Sequence, residues 1–242
     1  MFAFIRTALV LLYFVLVAIL GIFVCVFRPF NPDNSRICGR LFSWGAIKLL
    51  GITLLIEGEE QLDGLEPGIV VANHQSNFDL FVHGAVIPAY TATIGKKSLK
   101  YLPFFGQVYW LAGNILIDRS NSKKSIDMMS QITDAIKNHG TSIWVFVEGT
   151  RNLGKGLLPF KKGAFHMAVQ TQSPIYPICA STYAGRLQLG KWHSGVVLIK
   201  VLAPISTAGV GDENVPTLVD ETQNMMADEI HQLDRRVAAM TA

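Results

Sequence analysis

Gly68-Ile69-Val70-Val71-Ala72 runs directly into Asn73-His74-Gln75-Ser76-Asn77-Phe78-Asp79, and this junction decides the fold. The first five residues are apolar and largely β-branched, the pattern of a buried strand. The next seven are a polar turn, and a helical apolar run opens at Leu80. Chemistry concentrates on loops that a rigid scaffold positions, so a polar turn at a strand end is a candidate site. Histidine is a common general base, so His74 is a candidate proton acceptor. Asp79, five positions on, can fold back to the other ring nitrogen, fix the tautomer and stabilise the imidazolium. A substrate that brings its own hydroxyl removes the need for a serine or cysteine nucleophile. The plain alternative is that His74 closes the turn and Asp79 sits in a first helical turn, where acids are favoured.

Outward from this turn, strand and helix patterns alternate. Strands are expected near 52–57, 68–73, 90–95, 114–118, 142–147, 174–181 and 195–203, and helices near 78–86, 123–138, 162–172 and 216–240. Ile126, Met129, Ile132 and Ile136 keep helical spacing, as do Leu218, Thr222, Met226, Ile230, Leu233 and Val237. The expected class is α/β, a mostly parallel sheet with flanking helices.

A different pattern precedes it. From Thr7 to Phe27 no charge appears between Arg6 and Arg28, which is about 31 Å of helix, close to one hydrocarbon thickness. A cleaved signal peptide has a shorter apolar region ending in small residues, whereas this run ends Cys25-Val26-Phe27-Arg28. Pro29 and Pro32 break the helix, and Asp33-Asn34-Ser35 can cap a second one that reaches Leu50. That second helix lies in a membrane interface or docks on the following domain. The division is therefore a membrane-anchoring helix or helix pair over 1–50 and a catalytic domain over 51–242.

The chain of 242 residues is 50% hydrophobic and carries a net charge of +3. Arg6, Arg28, Arg36, Arg40 and Lys48 face only Asp33 in the first fifty residues, so the basic excess lies beside the apolar segment, as attraction to anionic lipid requires. Their asymmetry puts the C-terminal side of the helix in the cytoplasm, and a re-entrant pair on one leaflet leaves the domain on that same side. The expected location is the cell inner membrane, with the catalytic domain on its cytoplasmic face. No basic stripe suggests nucleic acid. Cys25, Cys38 and Cys179 form no CxxC pair and read as buried thiols of a reducing compartment. His83, His139, His193 and His231 read as solvated or locally satisfied. No HExxH, P-loop or GxGxxG supports a metal or nucleotide site.

Each of four polar clusters follows an expected strand: His74 to Asp79, Gly95-Lys96-Lys97-Ser98, Asp118-Arg119-Ser120-Asn121, and Glu148-Gly149-Thr150-Arg151. In open α/β sheets the carboxyl ends of parallel strands form the ligand crevice. Parallel strands would therefore gather one base and several cations on one edge, suited to a hydroxyl acceptor bearing a phosphate. Glu148 would orient an arginine or bond a substrate hydroxyl. The plain alternative makes Arg119 and Arg151 surface ion-pair partners.

Four segments, in order and spacing, resemble the motifs of the glycerolipid acyltransferase family: Asn73-His74 to Asp79, Gly113-Asn114-Ile115-Leu116-Ile117-Asp118-Arg119, Phe146-Val147-Glu148-Gly149-Thr150-Arg151, and Pro174-Ile175-Tyr176-Pro177-Ile178. The intervening text is similar to the bacterial 1-acylglycerol-3-phosphate branch. Val147 stands where the family commonly has proline, which frees one backbone torsion. The resemblance implies acyl transfer from a fatty thioester to the 2-hydroxyl of lysophosphatidic acid, giving phosphatidic acid. It implies His74 as general base and Asp79 as its partner. Lys96, Arg119, Glu148, Gly149, Thr150 and Arg151 would hold the acceptor, and Pro174, Ile175 and Pro177 would line the acyl side. No resident cofactor or metal is implied. The co-substrate would be acyl-CoA or acyl-acyl carrier protein, and the other partners are bilayer lipids. Another lysophospholipid or glycerol 3-phosphate is the alternative acceptor. A non-catalytic membrane-anchored lipid-binding protein is the alternative of another class.

Overall fold

The computed structural model describes residues 1–117 and 124–241. Helices α1 (Phe2–Phe27) and α2 (Asp33–Leu50) come first, then β1 (Ile52–Glu57), β2 (Ile69–Ala72), α3 (Asp79–Val82), β3 (Thr91–Lys96) and α4 (Phe105–Leu111). The chain continues through β4 (Ile115–Ile117), α5 (Lys124–Lys137), β5 (Ser142–Phe146), α6 (Gly163–Thr171), β6 (Ile175–Ala180), β7 (Gly195–Val201) and α7 (Val215–Thr241). One sheet has the order β1-β7-β6-β2-β5-β3-β4. Strands β6, β2, β5, β3 and β4 are mutually parallel. Strand β7 runs antiparallel to β6 and pairs in parallel with β1, so that edge of the sheet is reversed.

Each expected strand is present, and the sheet is mostly parallel as the alternation requires. Strand β2 is buried over its whole length, the mark of a sheet covered on both faces. Its alternate residues serve two cores. Val70 and Ala72 join Trp144, Ile178 and the N-terminal helices. Ile69 and Val71 join Ile143, Ile175 and helices α5, α6 and α7. The helix expected near 78–86 is a four-residue α-helix continued by a 3₁₀ turn, His83–Ala85. Helix α4 has no counterpart in the sequence reading. Its aromatic and β-branched residues show no helical stripe, and packing decides it: Phe105 meets Phe14 and Phe42.

Helix α2 docks on the sheet, the second of the two readings open from the sequence. Cys38, Phe42, Ala46 and Leu50 are buried. A glycine contact sets its approach: a Cβ on Gly84 would stand 2.6 Å from the Gly39 oxygen. The backbones therefore meet directly, which only Gly allows on both sides.

Helix α1 is held at both ends. Arg6, read from sequence as a flanking charge, is buried. It donates to the carbonyls of Leu189 (3.1 Å), Lys191 (2.6 Å) and Trp192 (2.8 Å) and to Ser194 Oγ (2.6 Å). At the other end Phe30 N–H donates to Leu111 O at 2.8 Å and Asn34 Nδ2 to Arg28 O at 2.6 Å. Between these pins the helix of 26 residues, about 39 Å long, lies along the domain. Val10, Val17, Ala18 and Cys25 face inward, while Phe4, Leu9, Leu12, Leu16, Leu20, Phe23 and Phe27 remain exposed. All three cysteines are buried and unbridged.

Arg6→Ala removes a charged donor from four acceptors. Bonds of this kind contribute about 1.5–3 kcal/mol, so the variant should lose about 2–3 kcal/mol and release the start of α1. Denaturant melts in detergent and limited proteolysis near Thr7 read both effects. Arg6→Lys should recover only part.

Candidate active site

The carboxyl ends of β2, β5, β3 and β4 share one edge, and His74 stands there just beyond β2. Two amides anchor its turn to the end of β6. Asn73 Nδ2 donates to Ala180 O at 2.9 Å, and its Oδ1 accepts from Ala180 N at 2.9 Å. Gln75 Nε2 donates to Ser181 O at 2.8 Å, and its Oε1 accepts from Tyr183 N at 2.9 Å. On the other side Asn152 N donates to His74 O at 2.8 Å.

Asp79 is the first residue of α3, and its side chain is 2% exposed. Oδ2 bonds His74 Nδ1 and accepts the amides of Gln75 at 2.7 Å and Ser76 at 3.2 Å. Oδ1 accepts the Tyr183 hydroxyl. Burial alone would raise the Asp79 pKa, but the bond from His74, the nearby imidazoles and Tyr183 outweigh it and hold it below the ordinary carboxylate value. Burial and the Asp79 charge push the Tyr183 phenol well up, so it remains a donor. The His74 side chain is 18% exposed, enough to meet a substrate. Its ring stacks on Phe146 at 4.1 Å and 14°. With Nδ1 committed to Asp79, Nε2 is the nitrogen left for a proton.

Glu148 is buried and turned into the protein. Oε1 accepts His74 N at 2.5 Å, and Oε2 accepts Leu158 N at 2.8 Å and Asn152 Nδ2 at 3.2 Å. Burial raises its pKa, because these bonds do not offset the lost hydration. Both oxygens are committed to the chain, so the expected contact with an arginine or a substrate hydroxyl is replaced by support of the His74 backbone. Gly149 makes the turn after it at φ +69, and its N–H donates to Phe146 O at 3.0 Å.

Thr150 and Arg151 follow and are exposed, as is Lys96 at the end of β3. Lys96 and Arg151 have no ion pair among the described residues. Lys161 passes close by: its Cγ lies 3.1 Å from where a Gly149 Cβ would stand. Arg119 lies outside the described residues. Pro174 immediately precedes β6, and Ile175 and Pro177 lie within it. Strand β6 pairs Ile175 with Ile69 and Ile178 with Ala72. Ile175 is therefore about 17 Å from the His74 edge at roughly 3.3 Å per residue. Ile175 is fully buried in the second core and Pro177 is buried mid-strand.

Tyr183, Asn73, Gln75, Phe146 and Asn152 were missed as site residues. Phe146 opens the Glu148 motif and Asn152 follows it, so adjacency was a usable signal. Tyr183 carries none, since only the fold brings it to Asp79. His83 also departs from expectation. It is buried, neither ring nitrogen has a hydrogen-bond partner among the described residues, and it sits edge-on to Trp144 and Phe146 at 5.6 and 5.4 Å. Burial drives its pKa down to about 4, so it stays neutral. Among the described residues no group of three or more His, Cys, Asp or Glu is placed to hold a metal.

Asp79→Asn should destabilise by about 1–3 kcal/mol near neutrality, because a charge-assisted acceptor of several donors is lost. A folded-state pKa below the unfolded one stabilises above the unfolded value, and that stability fades as pH falls through the folded value. The difference between wild type and variant should therefore shrink at about pH 3, as denaturant melts at the two pH values would show. A constant difference would contradict the assignment.

Residues 53–181 match the acyltransferase family. The chain is 38% identical over 237 residues to the 1-acyl-sn-glycerol-3-phosphate acyltransferase of Escherichia coli (strain K12), covering 98% of this chain and 96% of that one. It is 36% identical to the Haemophilus influenzae enzyme of the same name, covering 96% and 97%. It is 38% identical to 1-acyl-sn-glycerol-3-phosphate acyltransferase alpha of Mus musculus, covering 86% and 74%. The crystal structure of the 1-acyl-sn-glycerophosphate (LPA) acyltransferase PlsC from Thermotoga maritima shares the fold, with TM-score 0.69, 24% identity and coverage of 99% and 98%. Matched through its core domain and along nearly its whole length, this chain belongs to the acyltransferase family.

Proposed function

We propose that the protein transfers a fatty acyl group from an acyl thioester to the sn-2 hydroxyl of 1-acyl-sn-glycerol 3-phosphate, giving phosphatidic acid. The observation that carries this reading is the His74–Asp79 pair, held at a sheet edge with exposed Arg151 and Lys96 beside it. The names of the relatives point to the same acceptor. His74 Nε2 takes the hydroxyl proton as the oxygen attacks the thioester carbonyl. The tetrahedral intermediate then collapses, the C–S bond breaks, and the thiolate takes the proton from the imidazolium. Asp79 stabilises that imidazolium, and the ordinary cost of orienting the ring has already been met by folding. The substrate supplies the nucleophile, so no acyl-enzyme forms.

Arg151, Lys96 and Lys161 are assigned to the phosphate, with Arg119 as a further candidate. Glu148 is assigned to holding the turn. The amides of His74, Gln75, Ser76 and Gly149 are already bonded, which directs the search for oxyanion donors to Thr150 and Arg151. No resident cofactor or metal enters the reaction, and the donor is acyl-CoA or acyl-acyl carrier protein. The protein is assigned to the inner membrane with its site on the cytoplasmic face. With both ends of α1 pinned to one body, we read it as seated in one leaflet alongside the domain rather than crossing away from it. This is the re-entrant alternative.

The test is steady-state turnover with lysophosphatidic acid, glycerol 3-phosphate and a neutral monoacylglycerol, each with both donors. Lysophosphatidic acid should be preferred, and His74→Ala should lower kcat by about 10²–10⁴-fold. Equal use of the neutral acceptor would refute the phosphate site.

Binding and positioning separate in a second pair of variants. Arg151→Ala should raise acceptor KM by about 10- to 100-fold and leave donor KM unchanged. Arg151→Lys should restore only part, since a point charge lacks the bidentate fork. Glu148→Gln should instead lower kcat with little change in acceptor KM, because the His74 backbone loses its charged acceptor.

A further inference from the structure

We propose that the segment Lys97–Phe104, with Trp110, is a further lipid-contacting surface, built on the catalytic body beside the site and adjoining the outer face of α1. Tyr101 is 71% exposed and Trp110 54%, with Leu102 and Phe104 also exposed. They are not loose ends that could fold inward. Leu102 N donates to Leu99 O at 3.0 Å and Gly106 N to Leu102 O at 2.8 Å. A Cβ on Gly106 would lie 2.4 Å from Lys100 O, so α4 is packed hard onto this turn. Phe104 holds φ +62, a conformation that non-glycine residues adopt only where the surroundings impose it. The residues that follow turn inward: Phe105 packs against Phe14 and Val108 is buried in the core. The chain thus sorts this stretch into inward and outward apolar sets and accepts backbone strain to keep the second set outside.

Continuity and charge identify the occupant as a bilayer. The exposed face of α1 ends in Phe23, Val26 and Phe27. Phe30 continues it, edge-on to Trp110 of α4 at 5.0 Å, and α4 packs through Gly106 on the turn that carries Tyr101 and Leu102 just after β3. There it meets Lys96 and Lys100, whose Nζ sits 4.9 Å from the Tyr101 ring centroid. Exposed aromatic side chains beside lysines match the boundary between acyl chains and anionic headgroups. Contact here brings the Lys96 side of the site to headgroup depth. A phosphate ester could then reach His74 while its acyl chain stays in the membrane.

The proposal rests on reading α1 as membrane-seated, and the experiment separates the two. Full-length protein carrying Tyr101→Cys or Leu12→Cys is spin-labelled; the native cysteines are buried. It is then bound to phosphatidylethanolamine–phosphatidylglycerol vesicles. Collisions with oxygen should exceed those with a water-soluble nickel chelate at both positions. A shielded Leu12 label with a Tyr101 label open to the chelate overturns the proposal and leaves the α1 reading standing. Open labels at both positions overturn both. A Tyr101 label immobilised without vesicles, in protein that sediments as a dimer, assigns the patch to a second copy and also overturns it. In kinetics, Tyr101→Ser with Leu102→Ser should raise KM for vesicle-borne lysophosphatidic acid about tenfold. KM for a short-chain, water-soluble analogue should not change. An equal rise for both acceptors would mean that the loop binds the headgroup itself.

Discussion

One buried carboxylate organises the site. Asp79 accepts from the His74 ring, two backbone amides and the Tyr183 hydroxyl. Each donor comes from a place the fold must hold still: the turn after β2, and the segment that leaves β6. A carboxylate stripped of water is tolerated only when its lone pairs are taken, so the burial that makes Asp79 costly also dictates where the donors must stand. The tautomer of His74 follows from this arrangement, and its free nitrogen points outward because the other one cannot.

Glu148 complements it from the opposite side. His74 is gripped at its ring by one carboxylate and at its backbone N–H by another. The two differ in direction: Asp79 is pushed to lower pKa, Glu148 to higher. Asp79 bonds a ring that can become cationic as well as a phenol, whereas Glu148 bonds amides alone, which compensate less for lost hydration. Asp79 therefore holds the ring through Nδ1, opposite the outward-facing Nε2, and Glu148 holds the backbone frame. Phe146 completes the grip by stacking on the imidazole.

The alternation of patterns made the sheet legible from sequence, because a parallel sheet covered on both faces leaves β-branched runs such as Ile69–Val71 that nothing else explains. The His74–Asp79 pair was legible for the same reason: a polar turn stood at the end of such a run. Glu148 was found as a site residue but given the wrong partners, since sequence adjacency suggested Arg151 while the fold supplied the backbone of His74. Ile175 enters β6 at the end away from His74. A motif shows that residues matter together without showing which edge of the sheet they occupy. Tyr183 and the α4 helix were invisible, being consequences of packing between segments far apart in the chain.

The division near Gly51 is a boundary along the chain more than a boundary in packing. Val17, Ala18 and Cys25 of α1 share one core with Val70, Ala72 and Trp144 of the sheet. From α2, Gly39 meets Gly84 backbone to backbone, and the residue before Gly84 is His83. His83 presses on Phe146, and Phe146 carries the His74 ring. A continuous packed path thus leads from the N-terminal hairpin to the His74 ring, through residues too closely fitted to shift one at a time. Without residues 1–50 the face bearing Val70, Ala72 and Ile178 would lose its cover, and Phe146 would lose part of what keeps it under His74. In this fold the long apolar N-terminal helix is one wall of the core that holds His74.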